Sequence, residues 1–210
     1  MTGLRWGVAA AGLAAAGALM YLVFKAQAWG RAPIYAAPQG RPVRGIAYAL
    51  GRGLLPWEKE SARLHLAAYM AGIGYHIAIF AGFAALAVRV IGLTLPPPLE
   101  LFLRSVIGLG LACGLGLLAK RLLTEILRRL SRPDDFGANI LVDLFLAAAI
   151  AASWRPPFVP VFFCAGIALL LYMPVGKLRH SLFFFLSRAR FGAFFGRRGT
   201  LPPPRHELRV

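Results

Sequence analysis

The sequence predicts an all-α membrane protein with five transmembrane helices, and three observations lead to this prediction. The chain has 210 residues, 59% of them hydrophobic, and a mean hydropathy of +0.65. Soluble globular domains have only about 45–50% apolar residues. Five apolar segments recur along the chain, and Lys and Arg are concentrated at every second boundary between them. The length accommodates about five spans with loops and no further soluble domain of ordinary size.

Each apolar segment has about the 18–25 residues that a tilted helix needs to cross roughly 30 Å of hydrocarbon. The first segment lacks a strongly basic start and a cleavage site, so we interpret it as a retained span and not as a signal peptide. Proline pairs and triplets at 96–98 and 156–157 are expected to end two spans in tight turns. The predicted spans are residues 7–24, 64–88, 101–119, 136–154 and 158–175.

The distribution of basic residues predicts the orientation. Segments 25–63, 120–132 and 177–209 hold 20 of the 24 Lys and Arg residues. Because cytoplasmic loops are enriched in these residues, we expect the N-terminus outside and the C-terminus in the cytoplasm. The formal net charge of +16 could suggest nucleic-acid binding. The basic residues flank apolar segments, however, so we expect contact with the lipid bilayer and no nucleic acid.

The sequence divides into a five-helix membrane domain, residues 1–180, and a cytoplasmic, basic, amphipathic tail, residues 181–210. In the tail, the aromatic runs at 182–185 and 191–195 alternate with arginines. Two interpretations remain open, a helix lying in the membrane interface and a docking surface for a soluble partner. The last ten residues are expected to be extended or disordered, with His206 solvated.

Three histidines, His65, His76 and His180, lie in or beside predicted spans. Ionisable groups at membrane depth are costly and therefore mark functional sites. His65 and His76 are eleven residues apart, which places them within about 20° on one helix face and about 16 Å apart in depth. His180 follows the last span and is expected at the depth of His65. Two imidazoles at one depth can supply both axial ligands of a haem iron, so we expect b-type haem at His65 and His180.

Neighbouring residues suit such a cofactor. Arg63, Lys177 and Arg179 could neutralise haem propionates, or they could be topology signals alone. Gly72, with Gly74 nearby, could leave room for a flat macrocycle, or both could serve helix packing.

His76 has no histidine opposite it in the last span. It could bind a quinone oxygen or a five-coordinate haem, with Tyr75 in a similar polar role. Cys164 lies at a comparable depth, but a neutral thiol ligates poorly. We expect Cys164 and Cys113 to be small core residues.

Asp143, in the fourth span, is a further ionisable group at membrane depth. It could belong to a proton path, or it could be a salt-bridged structural group with a buried partner such as Arg63.

Three segments, 59–65, Tyr75–His76 and 176–180, resemble the gamma-subunit family of respiratory nitrate reductase. The likeness is closer to its relatives in sulfite-reductase-associated and heterodisulfide-reductase-like membrane complexes, and it covers about residues 5–200. The resemblance implies b haems between the second and fifth helices, reaction with quinone or quinol, a cytoplasmic iron–sulfur partner and other membrane or redox subunits. It also implies a bacterial or archaeal cytoplasmic membrane.

The resemblance carries the cytoplasm-proximal haem ligands over to His65 and His180, and one distal ligand to His76. The family has two histidines on the fifth helix, whereas this chain has aromatic and small residues around 162–164. We therefore expect one haem and leave a second open.

The expected function is that of a membrane-anchor cytochrome b subunit, passing electrons between the quinone pool and a cytoplasmic iron–sulfur subunit. The alternative is a haem-poor structural anchor that docks a redox complex without carrying electrons. The sequence has no cysteine cluster, phosphate-binding loop or nucleophile motif, so substrate chemistry is expected on another subunit.

Overall fold

The computed structural model describes residues 1–28, 37–58 and 60–203, with residues 60 and 61 described by their backbone alone. The predictions made for Lys59 and His206 fall outside these residues. Helices account for all the regular structure in the described part, where no strand occurs. The helices are α1 (Thr2–Ala28), α2 (Pro42–Leu50), α3 (Glu60–Leu64), α4 (Leu66–Ile91), α5 (Pro97–Leu123), α6 (Glu125–Leu130), α7 (Pro133–Trp154), α8 (Val159–Tyr172) and α9 (His180–Arg197).

Four of these helices, α1, α4, α5 and α7, are long and apolar enough to cross a membrane. A fifth span is counted if Pro156–Tyr172 and Lys177–Arg197 are taken together as one interrupted segment. The predicted all-helical class is therefore confirmed, and the helices are compatible with a multi-pass membrane protein. Helices α5 and α7 begin earlier than predicted because Pro97 and Pro133 occupy their first turns, where a missing N–H is tolerated.

The fifth span, predicted as one helix over 158–175, is shorter in the structure. Helix α8 ends at Tyr172, and a turn follows in which Gly176 N donates to Tyr172 O at 2.8 Å. Pro174 explains this end, because proline lacks the donor that would continue the helical ladder. Fourteen residues rise only about 21 Å, less than the hydrocarbon thickness.

The chain forms two compact units, a different division from the one expected at residue 180. Unit 1 comprises Met1–Leu22 and Met70–Leu178, and unit 2 comprises Val23–Tyr69 and Arg179–Val210. The tail therefore belongs to the same unit as the segment that precedes α4.

Helix α7 contributes most of the packed core of unit 1. Half of an 18-residue apolar stretch of α7 is buried, whereas only 17–22% of the corresponding stretches of α1, α4 and α5 is buried. Phe145 lies between Phe83 and Phe162, with ring centroids 5.1 and 5.3 Å away. The outward faces of the other helices leave large apolar side chains exposed, as expected where lipid replaces water.

Glycines let the helices of unit 1 approach one another closely. A Cβ on Gly82 of α4 would lie 2.8 Å from the Phe145 ring, and one on Gly166 of α8 would lie 2.8 Å from Leu86. A Cβ on Gly110 of α5 would collide with Ala78. Small residues at such contacts bring helix backbones together, as is common between helices of membrane proteins.

Unit 2 is built on a glycine contact between α2 and α9. A Cβ on Gly192 would lie 2.6 Å from Gly45 O, and one on Gly196 would lie 2.8 Å from Gly45 Cα. Gly192 and Gly196 are four residues apart and so share one face of α9. The tail thus contains a helix packed backbone to backbone, in addition to its exposed phenylalanines and arginines.

A carboxylate anchors the loop between α2 and α3. Glu58, whose side chain is 2% exposed, accepts from Tyr48 Oη at 2.8 Å and from Arg52 Nε at 2.6 Å. These two bonds lower the pKa of Glu58, that from Tyr48 most strongly. Burial, followed by the bond to Glu58, raises the pKa of Tyr48.

The same loop is tied to the first turn of α4, because Tyr69 Oη donates to Leu54 O. His65, which was predicted inside the second span, precedes this turn of α4. His65 lies in the turn between α3 and α4, and its carbonyl accepts from Tyr69 N at 3.0 Å. The expected stack of His65 and His76 on one continuous helix is therefore wrong in detail, since the helix proper begins at Leu66.

Candidate cofactor site

His76 is exposed on a flank of α4, about 100° around the helix from Tyr75 of the stripe that packs into the core. The buried stripe is Tyr75, Ala78, Gly82 and Leu86. His76 Nδ1 lies 2.6 Å from Gly72 O. A carbonyl only accepts, so Nδ1 carries the proton, and in the neutral ring Nε2 carries the lone pair. Such a bond to a backbone carbonyl commonly orients a ligating imidazole.

The two glycines near His76 have different surroundings. A Cβ on Gly72 would meet nothing within 4 Å, whereas one on Gly74 would lie 3.5 Å from Cys113 Sγ on α5. Gly74 therefore serves helix packing. The open space beside Gly72 remains compatible with the predicted approach of a flat ligand.

Three residues of the fifth span, Phe162, Phe163 and Cys164, were expected near the depth of His76, and none of them places a metal-binding side chain in the core. Phe162 and Phe163 are fully buried side chains of the unit 1 core. Cys164 is exposed, so its predicted place as a core residue is wrong, while Cys113 is half-buried. Adjacent positions of α8 project about 100° apart, so the phenylalanines can face the core while Cys164 faces away.

The expected haem ligands His65 and His180 both belong to unit 2 and are both exposed. His65 is in the turn before α4, and His180 is the first residue of α9, after a 3₁₀ turn over Lys177–Arg179. Arg63 and Arg179, two of the three cations expected near haem propionates, are also exposed in this unit.

The third expected cation, Lys177, belongs to unit 1 and forms an ion pair with Asp135. Asp135 Oδ2 also accepts from Arg132 N at 2.8 Å, which caps the start of α7. Tyr172 similarly donates to Asp134. Lys177 thus helps to fix the end of α8 on the start of α7, and a role toward a propionate would compete with this ion pair.

A buried polar group, which we call the Asp143 cluster, joins Tyr75 of α4 with Asn139 and Asp143 of α7. Asn139 Nδ2 donates to Asp143 Oδ2 at 2.9 Å and lies 3.2 Å from Tyr75 Oη. Gly114 of α5 faces the cluster, since a Cβ there would collide with Asp143 Oδ1 and lie 2.8 Å from Tyr75 Cζ. Asp143 lies about 15 Å from the start of α7, deeper than predicted because that helix begins at Pro133.

The salt bridge considered for Asp143 is not formed within the described residues. Asp143 Oδ1 is buried and has no hydrogen-bond partner there. Sequence reasoning singled out Asp143 but missed Asn139 and Gly114. Asn139 could have been found from its spacing, because it lies four residues, about one helical turn, before Asp143. Nothing in the sequence distinguished Gly114 from its neighbours Gly108, Gly110 and Gly116.

A separate pocket of about 350 Å³ lies at the opposite end of α4, among α4, α5 and α7. Its polar wall includes Arg89, Glu100, Arg104 and Ser153, and the rest is largely apolar. Arg104 donates to Ser153 Oγ at 3.1 Å and to Ser153 O at 3.0 Å, and its guanidinium lies 3.5 Å from Glu100. The pocket is about 20 Å along α4 from His76 and is distinct from the surroundings of that residue.

The described residues contain no group of three or more His, Cys, Asp or Glu side chains that could hold a metal ion. A bis-histidine haem needs only two protein ligands, so this finding does not bear on it. No protein-family description, curated protein or solved structure matches this chain.

Proposed function

We propose that this chain is a membrane-anchor cytochrome b subunit that passes electrons between the quinone pool and a cytoplasmic iron–sulfur protein. The observation that carries the proposal is the position of His76: an exposed imidazole on an apolar helix, with Nδ1 2.6 Å from Gly72 O. A proton on Nδ1 would leave Nε2 as the lone-pair atom. This is the form in which histidine ligates iron or accepts from a quinol hydroxyl.

In this proposal His65 and His180 would hold one b haem through their imidazoles. Both imidazoles are exposed in unit 2, and Arg63 and Arg179 provide positive charge in the same unit for the propionates. Haem supplies one-electron transfer at a potential that its axial ligands help to set. His76, held in its tautomer by Gly72, binds the quinone oxygen or a more weakly ligated second site.

The proposed orientation has the N-terminus outside and the C-terminus in the cytoplasm. The starts of α4 and α7 and the ends of α1 and α5 then share the cytoplasmic side with most of the basic residues. The arginines of the 350 Å³ pocket lie on the outer side. A bacterial or archaeal cytoplasmic membrane, with its soluble redox partners inside, suits this arrangement.

The test is a reduced-minus-oxidised spectrum of the purified protein. We expect a low-spin b signal that His65→Ala and His180→Ala each abolish, while His206→Ala, a control in the C-terminal tail, retains it. A full haem spectrum in both of the first two variants would refute the assignment. A wild type without haem would favour the structural anchor instead.

The haem content provides a second measurement on the same samples. Pyridine haemochrome should give close to one haem per polypeptide, because the positions of α8 expected opposite His76 are core phenylalanines and an exposed cysteine. A ratio near two would require an axial ligand from elsewhere.

A further inference from the structure

The proposed electron path does not use the Asp143 cluster. This cluster contains a buried carboxylate oxygen of unit 1, Asp143 Oδ1, that has no hydrogen-bond partner within the described residues. Asp143 is 6% exposed and Tyr75 is 8% exposed, within the packed interface of α4, α5 and α7. Asp143 is the one buried charged or polar residue identified in the described core. Burying an ionisable carboxyl among apolar helices costs free energy, so its presence there points to a specific role.

The carboxyl has one good donor and no cationic partner. Asn139 Nδ2 donates to Oδ2 at 2.9 Å, and Oδ1 lies against the Gly114 backbone and the Tyr75 ring without a hydrogen bond. An ionised carboxylate accepts at about four sites, so the Asn139 amide and the neighbouring Tyr75 hydroxyl leave much of its capacity unsatisfied. The environment therefore favours the neutral acid.

The charged groups on the surrounding elements are engaged elsewhere. On α5, Arg121 donates to Asp135 O at 2.9 Å. On α7 itself, Asp135 pairs with Lys177. Helix α4 presents the Tyr75 hydroxyl to the cluster, and α8 carries no charged residue. Within these elements no cation forms an ion pair with Asp143.

We propose that Asp143 is a buried proton-binding site whose carboxyl carries a proton at neutral pH and exchanges it through Tyr75. The ligand is a proton delivered from water, and loss of the proton converts the carboxylic acid to a carboxylate. Asn139 is a positioning residue, because its amide holds Oδ2. Tyr75 supplies the hydroxyl of the cluster: its Oη donates to Asn139 O at 3.2 Å, and its ring lies with Asp143 Oδ1 against Gly114. Its other neighbour is His76 on the exposed flank of α4, with ring centroids 6.4 Å apart.

The sequence allows a direct spectroscopic test, because the chain has only three aspartates, Asp134, Asp135 and Asp143. Protein labelled with ¹³C-aspartate and purified as the full chain should show the infrared C=O band of a neutral carboxylic acid at pH 7. Asp143→Asn should remove this band. Asp134→Asn, at an exposed position in the first turn of α7, should retain it and serves as the matched control. Absence of the neutral band from the wild type would refute the proposal.

Exchange is tested on the same band in the wild type, which does not depend on any variant folding. The band should shift after transfer into D₂O, and the shift should be several-fold slower in Tyr75→Phe. A neutral band that never shifts would make Asp143 a sealed structural acid and would overturn the exchange site. An unchanged exchange rate in Tyr75→Phe would overturn the route through Tyr75. None of these measurements requires haem, so the result is separable from the proposed function.

Discussion

At the residue scale, Gly114 determines whether the Asp143 cluster can exist. Its missing side chain provides the space in which Asp143 Oδ1 and the Tyr75 ring lie. Gly116, two residues further along α5, has nothing within 4 Å of its Cβ position. Alanine substitution at Gly114 therefore reports the effect of close packing, and the same substitution at Gly116 reports helix propensity alone.

Gly114→Ala should destabilise the protein, because its methyl group would overlap Asp143 and lie 2.8 Å from Tyr75 Cζ. Overpacking of this kind costs about 1–3 kcal/mol. Gly116→Ala should be neutral or stabilise by up to about 1 kcal/mol, since alanine is the better helix former. Thermal unfolding in detergent measures both variants. Equal effects of the two substitutions would contradict the close contact.

Glu58 should give unit 2 an acid-sensitive component of stability. Because folding lowers its pKa, its contribution is present above the unfolded value of about 4.3 and is lost as the pH falls through the folded value. Glu58→Gln should therefore be less stable than wild type at pH 7, and the difference should shrink between about pH 5 and pH 3. Tyr48→Phe should reduce the same component, because Tyr48 is the stronger cause. Hydrogen exchange over residues 48–58 reports it, and a pH-independent difference would argue against this explanation.

At the element scale, unit 2 depends on a backbone contact that larger residues would block. Gly192→Ala should separate α9 from α2, because the new Cβ would lie 2.6 Å from Gly45 O, which is backbone and cannot rotate away. We expect faster hydrogen exchange in Pro42–Leu50 and in α9. Gly137→Ala, at an open position in α7, is the control and should leave both segments protected. If the two variants exchange alike, the glycine contact does not hold α2 and α9 together.

Arg104 joins α5 to α7 near the end of α7, about 15 Å along that helix from Asp143. Its bonds to Ser153 and Glu100 involve a charged donor, for which removal costs about 1.5–3 kcal/mol. Arg104→Ala should lower the thermal unfolding midpoint accordingly. The control is Arg129→Ala, which breaks an exposed ion pair with Glu125 worth about 0.5 kcal/mol or less. A comparable loss in both variants would show that the Ser153 bonds contribute little.

At the scale of the whole molecule, α9 presents a basic and aromatic surface on the predicted cytoplasmic side. Phe184, Phe191 and Phe194 are exposed, and the Arg198 guanidinium lies 3.7 Å from the Phe194 ring centre. Removing the tail from residue 188 onward would also remove Gly192 and Gly196. Charge reversal on the exposed face is therefore the cleaner way to test whether this surface docks a soluble partner or lies on lipid.

We expect the double substitution Arg190→Glu and Arg198→Glu to reduce copurification of the proposed iron–sulfur partner by tenfold or more, while the long apolar helices stay folded. The reason is that two attractive charges become repulsive toward an acidic surface. Lys120→Glu, an exposed charge reversal on the same predicted side, is the control. Undiminished copurification, with weaker binding to anionic vesicles, would assign the surface to the membrane interface.

The sequence by itself determined the helical class, and it located the candidate spans to within a few residues. Hydropathy accomplishes this because a membrane-spanning helix satisfies its own backbone and needs only sufficient apolar length. Proline positions explain most differences at helix ends, as at Pro97, Pro133 and Pro174. Orientation and the cofactor remain predictions from the charge distribution and the histidines.

Only the tertiary structure decided which residues within those helices meet. It placed His65 before α4, paired Lys177 with Asp135, packed Gly192 on Gly45 and enclosed Asp143 between Tyr75, Asn139 and Gly114. In nearly uniform apolar helices the sequence period does not distinguish the face that meets lipid from the face that meets protein, since both are apolar. The distinction comes from how closely backbones approach and which polar groups find partners, and these depend on several helices at once.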